Sequence, residues 1–170
     1  MSIVVVVGNP KAGSRTAAVG QRIGERAAAA AGLPAGDPVD VIELANVAAQ
    51  LFDWGAPDVA ELVERVKATR LAVVVSPTYK ATYTGLLKAF LDRFSTTDLN
   101  GVIAIPVLVG AGAAHTLAVE VHLRPLLVEI GASVPTRGLF VLDTELDQLD
   151  ATIDTWLAQA QPVLARSLNG

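Results

Sequence analysis

The chain has 170 residues, 52% of them apolar and 18% charged, with a formal net charge of −4 and no cysteine. That length suits one domain with a substantial core, and the composition excludes a disordered chain. The lack of cysteine excludes disulfides, thiol nucleophiles and thiolate metal sites, and the acidic balance without any Lys/Arg cluster excludes nucleic acid and anionic membrane surfaces as partners.

The apolar opening Ile3 to Gly8 runs into Asn9-Pro10 and reads as a strand. It is too short for a signal-peptide core and lacks basic residues before it, so the expected location is the cytoplasm. No stretch reaches the ~18 uninterrupted apolar residues of a membrane helix. Gly8-Asn9-Pro10-Lys11-Ala12-Gly13-Ser14-Arg15-Thr16 then forms a strand end, a turn and a helix start. Ser14 and Thr16 present hydroxyls and N–H groups at a positive helix end, and Lys11 and Arg15 add charge, which suits a phosphate. A loop with an ordinary Ser cap and two solvated cations has the same residues. The segment is neither a Walker loop nor a dinucleotide fingerprint.

Val39 to Leu44 is the second strand, and Phe52-Asp53-Trp54 follows in a loop that places Trp54 for a subunit contact or a pocket rim. Val59, Leu62, Val63 and Val66 make one buried helical stripe. The third strand, Leu71 to Ser76, leads into Ser76-Pro77-Thr78-Tyr79-Lys80-Ala81-Thr82-Tyr83-Thr84-Gly85. Here Pro77 fixes the backbone, Thr78 and Tyr79 offer a hydroxyl and a ring to a planar ligand, and Lys80 can balance charge on a reduced flavin or a nucleotide phosphate. A turn before a helix capped at Thr82 or Thr84 explains the same Thr and Gly content. Leu87, Phe90, Leu91 and Phe94 supply the next stripe.

Val102 to Val109 is the fourth strand; it contains Pro106, for which a bulge is expected, because proline cannot donate to a ladder. After it, Gly110, Ala111 and Gly112 are small enough for backbone to approach a ligand edge. Gly110-x-Gly112 lacks the final Gly or Ala at His115 and so is not a dinucleotide motif. His115 reads as a helix-start hydrogen-bonding residue and His122 as a packing or interface residue. Gly138 to Leu142 is the fifth strand, and Leu149, Ile153, Trp156, Leu157 and Ala160 mark the last helix.

Strands alternating with helices imply a parallel sheet with right-handed crossovers, here a flavodoxin-like three-layer α/β fold of strand order 2-1-3-4-5 in a single domain over residues 1–170. Ligands in such sheets bind beyond the carboxyl ends of the strands. No Ser/His/Asp order, carboxylate pair or His-rich cluster nominates a catalytic side chain or a metal site, so redox chemistry must come from a cofactor. The high apolar content makes self-association the expectation.

Gly8-Asn9-Pro10-Lys11-x-x-Ser14-Arg15-Thr16 resembles the Gly-Ser-Pro-Arg-x-x-Ser-Arg-Ser/Thr phosphate loop of the NADPH-dependent FMN reductase family, and particularly of the flavin reductases that supply sulfonate monooxygenases. Ser76-Pro77-Thr78-Tyr79-Lys80-Ala81-x-Tyr83-Thr84-Gly85-x-Leu87-Lys88 resembles that family's Thr-Pro-x-Tyr-Lys-Ala-x-x-Ser/Thr-Gly-x-Leu-Lys signature. Ile105-Pro106-Val107 and Ala114-His115-Thr116-Leu117-Ala118-Val119 resemble its Leu-Pro-Ile strand and Ala-His-x-Leu-Ala-Val helix start, which accounts for the proline.

The resemblance implies that Asn9, Lys11, Ser14, Arg15 and Thr16 hold the FMN phosphate. Pro77, Thr78, Tyr79 and Lys80 would border the isoalloxazine ring, with Gly110, Ala111 and Gly112 along its pyrimidine side and His115 beside them. Lys11 stands where the family has Arg, and Ala111-Gly112 where it has Gly-Thr. Some relatives carry a tyrosine insertion in the fourth helix, which Glu120-Val121-His122-Leu123 lacks. The implied activity is NAD(P)H-dependent reduction of FMN, with NADPH or NADH as donor, a partner monooxygenase as recipient of reduced flavin, and a homodimer or homotetramer joined by the fourth helix. The alternatives are an FMN-containing quinone, azo or metal-oxyanion reductase and a flavodoxin-type electron carrier.

Overall fold

Five short strands rich in valine and isoleucine set the frame of the computed structural model, which describes residues 3–32 and 38–169. They are β1 (Ile3–Val7), β2 (Val39–Glu43), β3 (Leu71–Pro77), β4 (Ile103–Gly110) and β5 (Leu139–Leu142), each within a residue of its expected bounds. All pair in parallel, in the order β2-β1-β3-β4-β5, as the flavodoxin-like reading requires. The central strands β1 and β3 are buried along their whole length, which is why they read as continuous apolar runs rather than alternating ones.

Successive side chains leave a strand on opposite faces, so each strand feeds two cores. Val4, Val6, Ala72 and Val74 pack with Val59 and Val63 of α2 (Pro57–Lys67), with Leu87 and Phe90 of α3 (Gly85–Leu91) and with Leu127 of α4 (Arg124–Glu129). Val5, Val7, Val73 and Val75 pack with Val19 and Ile23 of α1 (Arg15–Ala30) and with Ile153 and Leu157 of α5 (Leu149–Asn169). Phe90 and Phe94 meet edge to face at 5.5 Å. Gly20 lets α1 lie directly on the sheet, since a Cβ there would sit 2.6 Å from Val75 Cγ1. Arg22 and Arg26 of α1 pair with Asp150 and Asp154 of α5 across the outer surface.

One expectation is corrected. No bulge occurs at Pro106: the β3–β4 register runs unbroken from Leu71–Ile103 through Val74–Pro106 to Pro77–Val109. The reason lies in which way each amide faces. Ile103 N–H donates to Arg70 on the β3 side, whereas Ala104 N–H donates to Ser133 on the other, so Pro106, two residues on from Ala104, turns its missing donor away from β3. The β5 ladder begins only at Val107–Leu139, and Pro106 falls in the gap before it. A strand that is central at one end is an edge at the other, and there proline is tolerated.

The fourth helical segment is built in three parts. A short 3-10 turn (Ala113–His115) is followed by a π turn (Val119–Leu123), in which Arg124 N–H reaches back to Val119 O, and then by α4 with Pro125 in its first turn. Pro125 has no N–H to close an α turn and its ring crowds the preceding one, so the wider turn lies where the chain needs it.

Candidate functional site

A cleft of about 440 Å³ opens at the carboxyl ends of the strands, between the loops that follow β1, β3, β4 and β5. The first loop is organised by its own side chains. Asn9 Oδ1 accepts from Lys11 N–H at 2.9 Å, and Asn9 Nδ2 donates to Thr16 Oγ1 at 2.9 Å, so this amide shapes the loop. Ser14 is the N-cap of α1, its Oγ accepting from Ala17 N–H at 3.2 Å. Gly13 takes φ +62°, open to glycine without strain, and its N–H donates to Glu43 Oε2 at 2.7 Å. Lys11 and Arg15 are exposed on this loop, and neither forms an ion pair with another of the described residues.

The second wall is the segment after β3. Thr78 N–H donates to Val109 O at 2.7 Å, which joins it to the end of β4. Tyr79 and Thr82 then exchange backbone hydrogen bonds of 2.8 and 3.2 Å, closing a two-residue hairpin whose central residues Lys80 and Ala81 have φ +50° and +66°. Two side-chain-bearing residues in the left-handed region store strain of about 1–2 kcal/mol each beside the cleft. His122, on the π turn, braces this hairpin with Nδ1 2.9 Å from Thr82 Oγ1. Of the two capping candidates it is Thr84 that caps α3, its hydroxyl accepting from Leu87 N–H at 3.1 Å.

Gly110 completes the floor. A Cβ at this position would lie 2.8 Å from Phe140 and 3.0 Å from Thr78 Oγ1, so only glycine keeps the approach open. Thr78 Oγ1 is itself buried with no hydrogen-bond partner among the described residues, an uncompensated polar atom bordering the cleft.

The structure gathers Asn9, Lys11, Ser14, Arg15, Thr16, Pro77, Thr78, Tyr79, Gly110 and Ala111 around this one cleft. It does not bring in Lys80, at the hairpin tip, or Gly112 and His115, on the 3-10 turn beyond β4, where His115 is exposed. Gly13, Val109, Asp143 and Leu146 line the cleft and escaped the sequence reading. The available signal for Asp143 was its place directly after the fifth strand. Trp54 does not line the cleft; it is 70% exposed and stacks with the Arg93 guanidinium at 4.7 Å. Among the described residues no group of three His, Cys, Asp or Glu side chains could hold a metal ion.

A larger cleft of about 550 Å³ lies between Pro135–Leu139 and α5. It precedes the amino end of β5 and shares no candidate residue with the first, and its Trp156 is tied by Nε1 to Arg137 O at 2.8 Å. Most of the residues nominated from the sequence line the smaller one. Two unpaired cations, an open helix end, an unpartnered hydroxyl and a glycine floor fit a ligand with an anionic tail and a flat polar ring.

The family model for NADPH-dependent FMN reductase matches residues 1–147. An FMN reductase (NADPH) of Pseudomonas putida is 31% identical over 107 residues, covering 63% of this chain and 54% of that protein. The NADH-dependent FMN reductase SfnF of Pseudomonas putida is 29% identical over 148 residues, 86% of this chain and 80% of the relative. Among solved structures, an apo NADH:FMN oxidoreductase (EMOB) superposes with TM-score 0.74 at 30% identity, covering 92% of this chain and 88% of its own. The chain spans about half the length of the first curated relatives it matches.

Proposed function

This chain belongs to the NADPH-dependent FMN reductase family, and from that premise we propose that it binds FMN in the β1–β3–β4 cleft and reduces it with NADPH or NADH. The observation that carries the reading is the convergence of the Lys11/Arg15 loop with Thr78, Tyr79 and Gly110 in one cleft. FMN would supply the two-electron chemistry, as the hydride acceptor. Lys11, Arg15, Ser14 and the start of α1 hold its phosphate. Pro77, Thr78 and Tyr79 would border its ring system, with Gly110 and Ala111 beside them. The protein orients and desolvates two stacked rings, and hydride transfer between them asks for no acid or base from a side chain.

Reduced flavin passes to a partner monooxygenase in this reading, supported by the loop resemblances to reductases that serve sulfonate monooxygenases. The protein acts in the cytoplasm as a single FMN-binding domain, and no helix among the described residues is long and apolar enough to cross a membrane. Leu117, Val121 and Val128, each more than half exposed along the fourth helical segment, support a homodimer or homotetramer through that face. Light scattering on purified protein checks the assembly.

The test is direct. Titration with FMN should quench its fluorescence, and NADPH or NADH should be oxidised only when FMN is present; a protein that does neither refutes the proposal. A second reading, a quinone, azo or metal-oxyanion reductase, is favoured by one observation: Tyr79 at the cleft mouth is 52% exposed, which leaves room above the ring for another acceptor. Turnover with free FMN against turnover with quinones separates the two.

A further inference from the structure

Glu43 ends β2, and nothing in its own strand requires a carboxylate there. Its Oε2 lies 2.7 Å from the backbone N of Gly13, and Gly13 lines the candidate phosphate pocket. A loop N–H of the kind that binds phosphate is thus already occupied by an internal anion. The second carboxylate of the site, Asp143, lines the same cleft from the turn after β5. Lys11 and Arg15 thus share the cleft with one lining carboxylate, Asp143, and with a second, Glu43, that is bonded to the lining backbone at Gly13. A site built only for tight capture of a dianion would keep carboxylates away from its loop.

We infer that Glu43 is an affinity-setting residue: it fixes the shape of the phosphate loop through Gly13 and, by its charge, weakens the binding of a phosphate-bearing flavin. The two effects come from different properties of one side chain. The tether needs only an acceptor oxygen, which an amide also supplies, whereas the repulsion needs the negative charge. The consequence for function is a pocket that is preorganised yet releases FMN readily, as a reductase that hands flavin onward requires. This inference rests on the FMN reading for its biological meaning, but its physical content concerns any phosphate at the loop.

Glu43→Gln separates the two properties. Dissociation constants of FMN and of riboflavin, which lacks the phosphate, are measured for wild type, Glu43→Gln and Glu43→Ala in low-salt buffer. The FMN-over-riboflavin preference should rise about three- to tenfold in Glu43→Gln, with the gain shrinking as salt is added, and should rise less in Glu43→Ala, where the loop also loses its tether. In Glu43→Gln, riboflavin affinity should stay at the wild-type value, because the loop keeps its tether. A preference that is unchanged or falls in Glu43→Gln overturns the inference and leaves Glu43 as a loop anchor only. If wild type binds neither flavin, the FMN reading fails by itself. Inorganic phosphate then decides the inference: a larger phosphate-induced rise in melting temperature for Glu43→Gln than for wild type supports it, and equal rises overturn it.

Discussion

The hydroxyl of Thr84 donates to the carbonyl of Gly8 at 2.6 Å, joining the segment after the third strand to the end of the first. The same oxygen accepts from Leu87 N–H, and Thr84 N–H donates to Ser76 Oγ at 3.0 Å. One buried side chain therefore caps α3 and fixes the spacing between the two loops that wall the cleft.

Replacing Thr84 by Ala removes the cap and leaves the Gly8 carbonyl without its buried donor. The expected loss is about 2–3 kcal/mol of unfolding free energy by urea titration. Thr84→Ser keeps the oxygen and should lose less than about 1 kcal/mol. FMN affinity should fall in the alanine variant and hold in the serine variant, because what changes is the distance between the loops.

Ala81 sits at φ +66° in the Tyr79–Thr82 hairpin. Glycine adopts that conformation without a Cβ clash, and the relief exceeds the extra entropy of the unfolded chain. Ala81→Gly should raise stability by about 0.5–1 kcal/mol, read as an increase in melting temperature.

Gly20 and Gly85 make a matched pair. A Cβ at Gly20 meets Val75 and Val5 at 2.6 and 2.8 Å, whereas one at Gly85 meets nothing within 4 Å. Alanine favours a helix by about 1 kcal/mol at either position, but overpacking against β-branched sheet residues costs about 1–3 kcal/mol. Gly20→Ala should therefore destabilise and Gly85→Ala should stabilise, in the same denaturation assay.

Glu120 links the fourth helical segment to the approach to β5. Its carboxylate pairs with Arg124 and accepts from Gly138 N–H at 2.6 Å. The hydrogen bond from Arg124 is the largest cause holding its pKa below the ordinary carboxylate value of 4.5, with Gly138 N–H and the Arg124 and Arg137 charges adding to it against partial burial. A depressed folded-state pKa contributes stability above the unfolded value that is lost as pH falls through the folded one. Wild type should thus lose stability on acidification from pH 4.5 downward, and Glu120→Gln should flatten that part of the profile. At pH 7, Glu120→Ala should cost about 2 kcal/mol, since Gly138 N–H and Arg124 lose their acceptor.

Lys11 offers a phosphate a point charge where arginine offers a planar fork. Lys11→Arg should tighten FMN binding about two- to fivefold, with riboflavin binding unchanged, in paired fluorescence titrations.

Much of this molecule is legible in the chain because its signals are local. Val4 to Val7 and Val73 to Val75 announce buried parallel strands by composition alone, and the 3.6-residue stripes of α2 and α3 announce their buried faces. Since each strand is followed by a helix and parallel connections are right-handed, a doubly wound parallel sheet follows, and with it the end at which the loops gather. That ground made the loops holding Asn9, Lys11, Ser14 to Thr16 and Pro77 to Tyr79 candidates, and the family resemblance named the individual residues. Lys80 and His115 have equally suitable chemistry and adjoin those segments, yet the turns at Lys80–Ala81 and Ala113–His115 leave them outside the cleft.

The alternation of elements and the two cation-bearing and ring-bearing loops are written in the sequence itself, because periodicity and turn chemistry act over a few neighbouring residues. Only the tertiary structure decided what depends on partners distant in the chain. Register with β5 makes Pro106 harmless, the approach of β2 sets Glu43 against Gly13, and the turn after β5 delivers Asp143 and Leu146 to the cleft. Contacts of that kind span 30 residues or more and are set by how the layers pack, which no local pattern encodes.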